Sequence, residues 1–135
     1  MAEIINELGQ PVGFPVPDWQ ACEHPRGAIM DGRLCSLVPV EIDLHANDLF
    51  TAFSRDKDQR NWTYLPYGPF ANEEDFRSWI FSNCMSDDPC FFSVIDLATG
   101  KAVGVASYLR IEPGVGVIEV GHIHFSPIMQ GRPIS

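Results

Sequence analysis

Basic residues, long apolar runs and matched metal-binding knuckles are all scarce in this chain, and each shortage narrows what it can do. Nine Lys and Arg stand against 18 Asp and Glu, a formal charge of −9. That balance argues against a nucleic-acid backbone or an anionic membrane as partner and is compatible with a cationic or amine-bearing one. No apolar stretch approaches the roughly 20 residues of a membrane span. The first residues, Met1 to Glu7, have neither the basic region nor the continuous apolar stretch of a secretory signal, so a cytoplasmic location is expected. Cys22, Cys35, Cys84 and Cys90 are irregularly spaced. Reduced thiols and no metal are the expectation for them. Internal repeats and low-complexity tracts are absent as well.

What is there is enough for a core. With 45% hydrophobic and 11% aromatic residues in 135, the chain is one domain or most of one. Residues 1–32 carry four Pro and four Gly and read as an extended arm on the surface. Arg33 to Val40 reads as a first strand, ended near Pro39. Asp43 is positioned to cap a helix over Leu44–Phe53, in which Ala46, Leu49, Phe50 and Phe53 share a face. An aromatic loop, Trp62 to Phe70, precedes a second helix capped by Asn72, with Glu73, Glu74 and Asp75 in its first turn and Phe76, Trp79 and Ile80 on its apolar face. After Pro89 the period changes to that of strands. Phe91–Leu97, Ala102–Leu109 and Val117–Phe125 are joined by the turns Ala98–Lys101 and Glu112–Gly114. Beyond the last strand, a turn bearing Gly131 and Arg132 and ending in Ser135 has the makings of an anion site.

The order of these elements, with Asn6 to Gly13 in the arm, Asp31-Gly32-Arg33, the loop Trp62 to Phe70, Phe76-Arg77-Ser78-Trp79, Ile118-Glu119-Val120-Gly121-His122-Ile123 and Phe125-Ser126-Pro127 followed by Gln130, resembles the GNAT acyltransferase superfamily. It is most similar to the branch related to ribosomal-protein alanine N-acetyltransferases. The resemblance implies acetyl-CoA as acyl donor, with pantetheine paired to the last strand through the backbone of Ile123, His124 and Phe125. It implies the pyrophosphate at Gln130, Gly131, Arg132 and Ser135, although Pro133 stands where the family pattern has Gly and removes one N–H donor. The acceptor would be a small amine or a protein N-terminal amine, and transfer would be direct, since no Ser-His-Asp or Cys-His arrangement is at hand.

Such a transfer needs a proton acceptor and a polarised carbonyl. Glu119 is the candidate base: alternation sets Val117, Glu119, Gly121 and Ile123 on one face, where neighbouring Val and Ile would partly desolvate the carboxylate. By strict alternation His122 and His124 lie on the other face, packed or supporting the site from behind, or else relaying protons to bulk, unless a bulge turns His122 inward to act as base. Gly121 permits close backbone approach. Trp62, Tyr64 and Tyr67 are candidates for the wall of an amine pocket, or else loop anchors.

The fold expected on this basis is α+β, the N-terminal part of a GNAT-like fold: a strand, two helices and a three-stranded antiparallel meander, lacking the C-terminal helices and strands. The domain organisation would be the arm, 1–32, and an incomplete acyltransferase domain, 33–135. A truncated form of this kind would have little activity alone, an uncovered sheet face and an exposed edge open to self-association. The alternative is a non-catalytic ligand- or partner-binding α+β module.

Overall fold

Pro39 closes a strand and the chain turns at Glu41 into the first helix. The computed structural model describes residues 2–135. Two short strands, β1 (Ile4–Ile5) and β2 (Pro11–Val12), form a hairpin of their own. β3 (Met30–Asp31), β4 (Cys35–Pro39), β5 (Cys90–Asp96), β6 (Lys101–Glu112) and β7 (Val117–Phe125) form one antiparallel sheet in that order. Helix α1 spans Ile42–Phe53 and α2 spans Glu73–Asn83. Among the described residues no helix is long and apolar enough to cross a membrane.

Both helices cover the same sheet face. Ala46, Leu49 and Phe53 of α1 and Phe76 and Ile80 of α2 pack with Phe91, Ala102 and Val105 of the sheet. The start of α2 follows its sequence: Asn72 Oδ1 accepts from the N–H of Asp75 at 2.9 Å. The start of α1 differs. Glu41 is the N-cap, and its own N–H donates to His45 Nδ1 at 3.0 Å. Asp43 instead sits in the first turn, where Arg77 of α2 pairs with it at 2.6 Å.

The expected fold class is corrected by the strand pairing. β4 does not stand apart from a three-stranded meander; it pairs along its whole length with β5, and β3 adds to its other side. The physical reason is two-faced burial: Leu37 pairs with Val94, and both pack on the face away from the helices, while Ser36 is buried in its turn. The second face is not bare either. The segment after β7 folds back over it, so that Met129 and Ile134 are buried with Val94 and Val103. Gly104 makes room for this, since a Cβ there would lie 2.5 Å from Met129 Sδ. The arm, expected to be extended throughout, holds the β1–β2 hairpin, and Trp19 Nε1 ties it to the β6–β7 turn by donating to the Gly114 carbonyl at 2.8 Å.

Candidate functional site

Strict alternation fails at one residue of β7, and that residue is His122. Gly121 pairs with Ser107, yet His124 pairs with Val105, so His122 and Ile123 together stand opposite Ala106. This is a β-bulge, and His122 sits in it at φ +48°. The extra residue shifts the side-chain phase. Glu119 and Gly121 before the bulge, and His122 and His124 after it, all come to the face that carries the helices. The expectation that the two histidines face away from Glu119 is therefore overturned, and the bulge that would bring His122 inward is present.

His122 ends up in aromatic company. Its ring stacks on Tyr67 at 5.7 Å and lies 5.3 Å from Phe91. Tyr67 Oη is 3.1 Å from His122 Nδ1. Burial, and secondarily Cys84, pushes the Tyr67 hydroxyl up to about 12, so it keeps its proton at neutral pH. The two residues line a cleft of about 410 Å³ with Pro66, Trp79, Asn83, Pro89 and Phe91.

Glu119 lies outside this cleft wall and is not desolvated as expected. Its side chain is 45% exposed, and Oε2 pairs with the Arg110 guanidinium at 3.0 Å. A second bulge aims that guanidinium. Leu109 pairs with Glu119 and Glu112 with Val117, leaving an extra residue in β6 where Arg110 has φ +49°. The Asp88 carboxylate holds the bulge by accepting from the backbone N–H groups of both Arg110 and Ile111 at 3.0 Å.

His124 takes the packed role. It is 3% exposed, with its ring 4.0 Å from those of Phe53 and Trp62. Neither ring nitrogen has a hydrogen-bond partner. Burial lowers its pKa to about 4 against a smaller opposing pull from Asp56, so the ring is neutral. Among the described residues no group of three His, Cys, Asp or Glu is placed to hold a metal.

The aromatic loop divides. Tyr67 reaches the cleft; Trp62 is buried in the core; Tyr64 is 98% exposed and does not line the cleft. Trp79, Asn83 and Phe91 line the cleft without having been expected there. Trp79 and Phe91 carry only a core signal in sequence, and their convergence depends on how α2 lies across β5.

The backbone of β7 suits an extended ligand. It is an edge strand, with β6 on one side only. Ser126 N–H donates to Val103 of β6, so alternation turns the backbone of Phe125 and Ile123 toward the open edge. Gln130 Nε2 already reaches that edge, donating to the Phe125 carbonyl at 2.7 Å. The following turn is less suited to phosphate in this arrangement. The N–H groups of Met129, Gln130, Arg132 and Ser135 donate to carbonyls of their own turns. The Arg132 guanidinium is directed at the Ile128 carbonyl, 2.9 Å, and Asp96, 3.5 Å.

No protein-family model matches the chain, and no curated protein does. Solved structures do. A GCN5-related N-acetyltransferase from Brucella melitensis matches at TM-score 0.83 and 36% identity over 88% of this chain and 54% of its own. A probable acetyltransferase of the GNAT family from Chromobacterium violaceum matches at TM-score 0.80 and 28% identity over 93% of this chain and 62% of its own. A putative acetyltransferase from T. thermophilus, at TM-score 0.64 and 19% identity over 78% of this chain and 53% of its own, shares the fold. The chain thus spans between about half and two thirds of the length of these relatives. Over the matched length the fold is a five-stranded antiparallel sheet with two helices, in place of the single strand, two helices and three-stranded meander expected. The structural neighbours of this chain are GNAT-family acetyltransferases, and it shares their fold.

Proposed function

We propose that this chain is a cytoplasmic GNAT N-acetyltransferase of the branch related to ribosomal-protein alanine N-acetyltransferases, which passes an acetyl group directly from acetyl-CoA to a small amine or a protein N-terminal amine. The observation that carries this reading is the bulge at His122. It puts an imidazole into an aromatic cleft, beside the open edge of β7, in a chain whose structural neighbours are GNAT acetyltransferases. Acetyl-CoA, when bound, supplies an acyl group on a good thiolate leaving group.

The chain's own residues do the rest. His122, at the cleft wall, takes the proton of the incoming amine, and Glu119 on the same face offers the carboxylate through which that proton moves on toward solvent. The N–H groups of Ile123 and Phe125 at the open edge hold the pantetheine and polarise the carbonyl, and His124 stiffens the strand from behind. Gln130, Gly131, Arg132 and Ser135 form the pyrophosphate end, which requires Arg132 to exchange Asp96 and the Ile128 carbonyl for phosphate oxygens. The free edge also carries exposed Val117, Ile118, Val120 and Ile123, which a second copy can cover when no acyl donor is bound.

One observation favours the second reading, a non-catalytic ligand-binding module: the amides that a phosphate would use are committed to turn bonds. Calorimetry with acetyl-CoA, followed by an assay of thiol release with an Ala-initiated peptide, separates the two. Binding and release are expected, with release falling by about 10²-fold or more in His122→Ala. Absence of acetyl-CoA binding overturns the acyltransferase reading. Equal turnover in Glu119→Gln removes that carboxylate from the proton path.

A further inference from the structure

Among the described residues no charged side chain lines the cleft beside His122. Pro89 forms part of the wall, and the two residues before it are acidic. Asp87 pairs with Arg26 of the arm at 2.5 Å. Asp88 is turned away, onto the N–H groups of Arg110 and Ile111. Glu119 is held by Arg110. The ring faces are partly engaged with one another too: Tyr67 lies 4.4 Å from Trp79, and Phe91 meets Trp79 edge to face. A second cation brought into this cleft would lose water and meet no carboxylate on its walls, and partly covered ring faces return less than that loss. An apolar group meets Tyr67, Trp79 and Phe91 and gains by leaving water. One acceptor atom is at hand. Asn83 Nδ2 donates to the Trp79 carbonyl at 3.0 Å, which leaves Oδ1 to accept from an amine N–H.

We infer that this cleft takes the side group of the acceptor amine, and that it selects an uncharged aromatic or branched aliphatic group over one bearing a second positive or a negative charge. The inference rests on the acyltransferase reading and names the substrate class for that site. It also reverses what the chain's acidic composition suggests: none of the residues that give the net charge of −9 lines the cleft.

Quenching of Trp79 emission tests this, with Trp79→Phe as the reference for the other two tryptophans. The probes are 2-phenylethylamine, 1,4-diaminobutane and β-alanine, which share a primary amine and differ in the group attached. The aromatic amine is expected to bind at least about tenfold more tightly than either charged one. Asn83→Asp puts a carboxylate on the wall at an exposed position and is expected to shift preference toward 1,4-diaminobutane by about tenfold. Equal binding of the three probes, or an unchanged ratio in Asn83→Asp, overturns the inference. Acetyl-CoA calorimetry on the same samples keeps the two readings apart. Acetyl-CoA binding without probe discrimination defeats this inference alone. Discrimination without acetyl-CoA binding defeats the acyltransferase reading and leaves the cleft as a site for apolar amines.

Discussion

Tyr67 Oη and His122 Nδ1 lie 3.1 Å apart with their rings stacked, although 55 positions separate the two residues in the chain. The bond ties the aromatic loop to the bulged strand. Because Tyr67 stays protonated, its hydroxyl also takes part in deciding which ring nitrogen of His122 carries the proton.

Replacing Tyr67 by Phe keeps the ring against Trp79 and removes only the hydroxyl. Stability is expected to fall by about 1 kcal/mol or less, the net worth of one such hydrogen bond. Acyl transfer is expected to drop by roughly tenfold, since His122 loses its orienting partner. Urea denaturation, transfer rates and the ring-carbon NMR shifts of His122 report the three quantities. An unchanged tautomer ratio at His122 would show that Tyr67 merely packs.

Acid should loosen the fold through His124. The unfolded chain protonates this residue near 6.5, the folded chain only near about 4. Protons therefore favour the unfolded state in that window. Stability is complete above about pH 6.5, declines as pH falls toward 4, and is flat in this contribution below that. The loss is about 3–4 kcal/mol at most, at about 1.4 kcal/mol per unit. Burial lowers His45 as well, against smaller pulls from Glu41 and Asp48, and it adds a slope of the same sign. Urea midpoints across this range, in the native chain and in His124→Phe, isolate the contribution; parallel curves for the two would refute it.

Met129→Ala probes whether the segment after β7 seals the second sheet face. Met129 is wholly buried against that face, so its truncation is expected to cost about 2–5 kcal/mol. The affinity for an apolar dye should rise as Val94 and Val103 become exposed. A neutral substitution would mean that the segment is not docked there in solution.

Where residues carry local chemistry, the sequence reads true. Asn72 caps α2 as expected, since a cap bond needs only a neighbour three residues away. β7 runs from Val117 to Phe125 as its β-branched and aromatic content suggests. Asp43 fails as a cap for α1 because Glu41 and His45 make a competing arrangement, and Arg77 of another helix claims the carboxylate. Trp62 and Tyr64 are near neighbours in one loop, yet the first is core and the second solvent-exposed. Loops have no period from which to read a face.

The sequence by itself determined the helices, the strand segments, the acidic balance and the set of residues from which a site is built. Those are properties of near neighbours: propensity, period and capping. Only the tertiary structure decided that β3 and β4 join the meander in one sheet, that the segment after β7 covers its far face, and that His122 turns toward Tyr67 while Glu119 turns to Arg110. Each depends on register between strands, and a single extra residue in β7 between its pairings with Ser107 and Val105 reverses which face a side chain meets.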